Sequence, residues 1–163
     1  MLKIRKTHPD DIPFVLPIYE SARKFMRSYG NTTQWSDNYP GLESISQDIE
    51  KGISYVGIDD DNEIVMTFVL LEGLDPTYAV IYDGEWINDE PYATIHRLAS
   101  NGKHPGMVAE CVAYCSQICS NLRSDTHEVN TPMRNALCRA GFIECGTIIC
   151  RDGTPRVAYQ RPN

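Results

Sequence analysis

Apolar residues recur at two spacings along this chain, and the alternation between them lays out the elements. Residues 2–6 alternate as a strand. Ile12, Val15, Leu16, Tyr19, Ala22, Phe25, Met26 and Tyr29 then fall at helical spacing, with start chemistry from Thr7 to Asp11 and a stop at Gly30. Pro13 suits the first turn of that helix, whereas Pro17 removes an interior hydrogen bond and predicts a bend or a split. A polar loop over 31–41 precedes a short helix through Ile45 and Ile49, ended by Gly52. Strand-like runs over 53–59 and 63–71 make a hairpin around Asp59-Asp60-Asp61-Asn62. Residues 72–90 read as a long irregular insert. Further along, the pattern predicts a strand over 93–99, a helix over 106–121, a strand over 122–127 and a helix over 131–140. A hairpin of 142–150 and 156–161, turning at Asp152-Gly153, closes the chain.

The order is β-α-α-β-β-β-α-β-α-β-β. A strand, loop, helix and strand in the middle imply parallel central strands, and the flanking hairpins imply antiparallel edges. The expected fold is α/β: a single domain over residues 1–163, with a mixed sheet of about seven strands and flanking helices.

Charge narrows the function. Fifteen Lys and Arg against 22 Asp and Glu leave a net charge of −7, the wrong balance for a protein that lives on phosphate contacts with nucleic acid. No apolar run approaches the ~20 residues a membrane helix needs. The N-terminus lacks an apolar stretch after its charges, so it does not read as a secretory signal. These features predict a soluble, cytoplasmic protein without a nucleic-acid or membrane partner. Cys111, Cys115 and Cys119 share one helix face, and Cys138, Cys145 and Cys150 are scattered. None has zinc-finger or C-x-x-C spacing, so the six read as buried reduced thiols rather than a metal or redox site.

The stretch that carries chemistry is Ile95-His-Arg-Leu-Ala-Ser-Asn-Gly-Lys-His-Pro-Gly-Met-Val. It runs from a strand through a loop with Gly102 and Gly106 into a helix. Such a loop leaves backbone N–H groups free beside the positive end of a helix, where an anion binds. Lys103 and His104 add charge. Punctuation before a helix would explain the glycines equally well.

The element order and this loop resemble the GNAT N-acetyltransferase superfamily, whose fourth strand is followed by a Q/R-x-x-G-x-G/A loop that cradles the pyrophosphate of acetyl-CoA. On that pattern Lys103 stands at the Gln/Arg position, Gly106 at the first glycine and Val108 at the second small residue. The resemblance spans nearly the whole chain and ends in Ala140-Gly141-Phe142, similar to the family's helix-to-strand junction. It implies acetyl-CoA as cosubstrate, held by Leu98, Ala99, Lys103, His104, Pro105, Gly106, Met107, Val108 and Asn130. Asn130 matches an asparagine that commonly approaches the pantetheine arm, and it also reads as a helix N-cap. The implied reaction is direct attack of an amine on the thioester, with a backbone N–H around Leu98 stabilising the oxyanion. The implied partner is a small-molecule or peptide amine acceptor, and a homodimer is compatible with the family.

Two positions depart from the family pattern. Val108 is bulkier than Gly or Ala. Leu137 stands where many relatives carry a tyrosine that protonates the departing thiolate, and this keeps a second reading open, a non-catalytic CoA-binding or regulatory module. A thiol-based redox sensor is a third.

For a general base the candidates are Glu72, His96 and His127. Period two puts Arg123, Asp125 and His127 on one face, so Asp125 is positioned to orient the His127 imidazole and raise its pKa. A surface polar ladder is the plainer reading. His96 lies on the strand expected to face pantetheine, on the face opposite Arg97, and Glu72 ends the third strand. Trp35, Trp86 and Tyr92 read as packing residues. Six acids and no Lys or Arg over 72–90 predict that a cationic acceptor binds beside the insert, or that the insert is a solubilising loop.

Overall fold

Seven strands form one sheet in the order β1-β2-β3-β4-β5-β7-β6 in this computed structural model of residues 1–163. They are β1 (Lys3–Lys6), β2 (Ser54–Ile58), β3 (Ile64–Glu72), β4 (Ala93–Ser100), β5 (Leu122–Thr126), β6 (Ile143–Ile149) and β7 (Pro155–Arg161). All neighbours pair antiparallel except β4 and β5, which run parallel. The helices are α1 (Ile12–Ser28), α2 (Leu42–Glu50), α3 (Met107–Ile118) and α4 (Thr131–Arg139). Number, order and pairing match the reading of the sequence.

The two-residue alternation of the strands feeds two cores. Tyr55, Met66, Phe68, Leu70, Ile95, Leu122, Val157 and Tyr159 point toward α3 and α4, where they meet Cys111, Val112, Cys115 and Leu137. On the opposite face Val56 and Ile58 pack with Val15, Ile18, Tyr19 and Met26 of α1 and Ile45 of α2. Burial on this scale contributes roughly 1.5–3 kcal/mol for each large apolar side chain.

Pro17 does not split α1, which runs unbroken through it. Its missing N–H would have served the carbonyl of Pro13, and both prolines lie on the exposed side of the helix. Water satisfies that carbonyl there, so the lost bond costs little. Phe25, at helical spacing with the core residues, is instead 58% exposed and packs edge-on against Tyr29 with ring centroids 5.1 Å apart.

The acidic insert is not a free loop. It crosses the outer half of the sheet as a strap, on the face also covered by α1 and α2. Tyr82 forms an isolated bridge with Thr147, the Glu85 amide donates to the Cys145 carbonyl at 3.0 Å, and the Ile87 amide donates to Gln160 Oε1 at 2.9 Å. The Arg123 guanidinium lies 4.0 Å from the Trp86 ring centre and 3.9 Å from that of Tyr92. Trp86 and Tyr92 therefore pack, as expected, and Arg123 is the cation between them. Tyr78, Tyr92, Ile148 and Ala158 make a third small core beneath the strap.

All six cysteines are free, and Cys111 and Cys115 are fully buried. Burial pushes the Cys111 thiol well up, so both behave as small core hydrophobes. Cys138 departs from the expectation and is exposed on α4.

Candidate active site

β4 and β5 pair over only three positions, Ala93–Ile95 against Leu122–Ser124, and then part. The cause lies on the other edge of β4. Thr67 faces Ala99 while Val69 faces His96, so β4 carries an extra residue opposite Phe68. Arg97 absorbs it with a φ of +50°, a left-handed conformation rare for a side chain of this size. The bulge turns β4 away from β5 and opens a cleft of about 890 Å³. His96, Arg97 and Leu98 line one wall, Ser124, Asp125 and Thr126 the other, and Asn130, Met133 and Leu137 of α4 the floor.

At one end of β4 the chain enters the 101–106 loop. Gly106 is the N-cap of α3 with φ +77°, and open space surrounds the position a Cβ would take there. The amides of His104, Gly106, Met107, Val108 and Ala109 find no acceptor within the protein. Five free N–H groups at a helix start form the anion cradle expected for a diphosphate. Lys103 and His104 do not face an empty site. Lys103 Nζ pairs with Glu63 at 2.8 Å and His104 Nε2 with Asp59 at 3.1 Å, both across the β2–β3 turn. Met107 and Val108 pack partly against the α3–α4 core, and Ala99 is buried against the α1–α2 core. Of the nine residues expected to hold cofactor, only Leu98 and Asn130 line the cleft itself.

The candidate bases separate clearly. His96 Nε2 lies 2.6 Å from Asp75 Oδ2. Asp75 caps the short 3-10 turn Pro76–Tyr78, and its other oxygen accepts from the Thr77 amide at 2.9 Å and the Thr77 hydroxyl at 2.7 Å. Burial pushes the Asp75 carboxyl up, but the hydrogen bonds from His96 and Thr77 outweigh it and hold it at about 2. A carboxylate ionised at neutral pH accepts the Nε2 proton, which leaves Nδ1 as the basic nitrogen. The imidazole keeps 26% of its side-chain exposure and lines the cleft.

His127 does not form the expected pair. Asp125 Oδ2 instead accepts from the Tyr78 hydroxyl at 2.6 Å. Burial, reinforced by the Arg156 charge, lowers the His127 pKa. Its Nδ1 accepts from the Val129 amide and its Nε2 meets Thr33 Oγ1 at 3.2 Å, which ties the 31–36 loop to the end of β5. Glu72 is exposed and lies outside the cleft lining. Asn130 is 3% exposed with its side chain engaged. Oδ1 accepts from Tyr29 at 2.8 Å and Met133 N at 3.3 Å, and Nδ2 donates to Gln34 at 3.2 Å. Of the six insert acids, Asp75 alone reaches the cleft.

The acceptor side is assembled from parts that no local pattern marked. Arg97 Nη2 pairs with Asp48 of α2, and its Nη1 donates to the Tyr39 hydroxyl at 3.0 Å. Gln34 Oε1 takes donors from Asn31, Thr126, the His127 amide and Asn130, which holds the 31–36 loop over the cleft. Arg156 of β7 closes the far end.

A splayed parallel pair beside a run of free amides is the frame of an acyltransferase. The chain superimposes with a TM-score of 0.90 on a GNAT-family acetyltransferase from Streptococcus agalactiae 2603, at 30% identity over 99% of this chain and 95% of that one. It belongs to the GNAT family of acetyltransferases. The fold is shared with a GNAT-family acetyltransferase from Listeria monocytogenes 4b F2365, with a TM-score of 0.72 at 16% identity, covering 99% and 95% of the two chains. It is shared also with the aminoglycoside acetyltransferase AAC(6')-Ib, solved with coenzyme A and kanamycin, with a TM-score of 0.65 at 14% identity, covering 100% and 95%. No family model and no curated protein matches the sequence.

Proposed function

We propose that the protein transfers an acetyl group from acetyl-CoA to the amine of a small molecule or peptide, with His96 as general base and Asp75 as its positioning partner. The observation that carries this reading is the His96–Asp75 contact at 2.6 Å on the cleft wall, one strand's length from the free amides at the start of α3. The cradle would hold the diphosphate of acetyl-CoA, so that the pantetheine arm runs between β4 and β5 to the bulge at Arg97 and Leu98.

In this reaction an ammonium must lose a proton before its nitrogen attacks the thioester carbon. His96 Nδ1 takes that proton, and Asp75 holds the ring and stabilises the imidazolium. The new C–N bond forms as the C–S bond breaks, and the second proton of the nitrogen passes through water to the departing thiolate. α4 offers no acid for the leaving thiolate, because Leu137 is 2% exposed and apolar. A thiol of pKa ~8.5 is a tolerable leaving group that water can protonate. The test is release of free CoA from acetyl-CoA with a panel of amines, with the acetylated product identified by mass. Binding of acetyl-CoA without release of CoA in the presence of any amine would restore the reading of a CoA-binding module.

A further inference from the structure

Beyond His96 the cleft continues to an end that acetyl transfer leaves unused. β7 delivers Arg156 there, with its side chain 5% exposed. Nη1 donates to Thr154 Oγ1 at 2.6 Å and to the Pro155 carbonyl at 3.0 Å. Nη2 has only the Gln34 carbonyl at 3.4 Å and Asp152 Oδ2 at 3.7 Å, and Nε has no acceptor. Asp152 is not a counter-ion in hydrogen-bond contact. Its Oδ1 is spent within its own turn, on the Thr154 amide, the Thr154 hydroxyl and the Cys150 thiol.

The two other arginines that turn inward have closer partners, although each also keeps a buried Nε without an acceptor. Arg97 holds Asp48, and Arg123 lies between Trp86 and Tyr92. A buried guanidinium whose nearest carboxylate, Asp152, stands 3.7 Å away, outside hydrogen-bond reach, is costly unless an anion completes it. Lys51 and Arg151 also line the cleft, neither with an ion-pair partner.

We infer that this end of the cleft is a carboxylate subsite with Arg156 as its fork, so the acceptor is an amine that also carries a carboxylate. The inference rests on the reading that His96 receives the amine. β5 separates β4 from β7, so the strands that carry His96 and Arg156 lie two strand spacings, roughly 10 Å, apart where they are paired and further apart where the cleft splays. That span fits a side-chain amine of an amino acid or the N-terminus of a short peptide. It replaces the cationic acceptor expected from the insert, whose acids, Asp75 excepted, lie outside the cleft.

Matched probes test this on the intact protein. With acetyl-CoA, 6-aminohexanoate and Gly-Gly-Gly should show kcat/KM at least about tenfold above 6-aminohexanamide and Gly-Gly-Gly amide, the size of one charge-assisted contact. Arg156→Gln should bring that ratio toward one, and Arg156→Lys should restore part of it, because a point charge replaces a fork. A binding readout independent of turnover accompanies it: 6-acetamidohexanoate, but not its amide, should raise the Tm of the wild type. A Tm rise without turnover upholds the subsite and overturns the acetyl-transfer reading. Equal turnover of acids and amides, or equal Tm effects in the wild type, overturns the subsite even if Arg156→Gln fails to fold.

Discussion

The two ends of the cleft are built in opposite ways. The end proposed for the cofactor is main chain: the free amides of His104, Gly106, Met107, Val108 and Ala109, beside Lys103 and His104 side chains already paired with Glu63 and Asp59. The acceptor end is side chain: His96, Arg97 and Arg156, each set by a residue from a distant segment. A diphosphate is recognised by backbone geometry that tolerates varied side chains. An acceptor is recognised by charges whose positions depend on the whole fold. One end is general and the other particular to this chain.

The largest effect should come from breaking the general end. Gly106→Glu forces a side chain into a φ of +77°, costing about 1–2 kcal/mol, and sets a carboxylate where phosphate would lie. At concentrations 100-fold above the wild-type Kd, acetyl-CoA should stabilise the wild type by about 2.7 kcal/mol and the variant by nothing. Calorimetric or fluorescence Tm measurements check it, and an undiminished shift would move the anion site elsewhere.

Next in size is acid stability at the particular end. The Asp75 carboxyl, held at about 2, lies below its ordinary ~3.9. Its contribution, roughly 2 kcal/mol, is therefore present above pH ~4 and is lost as the pH falls toward 2. Urea unfolding of wild type and Asp75→Asn should show a gap at pH 5 that narrows toward pH 2. A gap independent of pH would remove Asp75 as an ionised partner.

The smallest effect sharpens the contrast. Lys103 and Glu63 are both more than half exposed, and such a pair contributes little to stability. Glu63→Gln should leave the Tm within a degree or two while tightening acetyl-CoA binding by about two- to fivefold at low salt, because Lys103 is released toward the phosphates. Titrations at two ionic strengths measure it. Unchanged affinity at low salt would show that Lys103 takes no part.

This contrast also explains what the sequence disclosed. The strands, the helices and the glycine loop that opens α3 were legible because period, glycine position and helix start are local signals. The split offered at Pro17 did not occur because the proline falls on the exposed side of the helix, a tertiary placement that no local pattern records. Period two paired Asp125 with His127, but β5 ends at Thr126, and Tyr78 arrived from the strap and took the carboxylate. Asp75 was visible only as one of six acids. A capped 3-10 turn, rather than any spacing, carries it to a histidine 21 residues away. Arg156 gave no signal because its role depends on which groups fail to reach it.

The central claim is that His96 is the base on the wall of a working acetyl-transfer cleft. Side-by-side measurement of kcat for a turned-over amine and of the acetyl-CoA Kd, in wild type and His96→Gln, tests it most directly. The expected result is a fall in kcat of about 10²- to 10⁴-fold with the acetyl-CoA Kd within twofold of wild type. A kcat within a few-fold of wild type would contradict the claim.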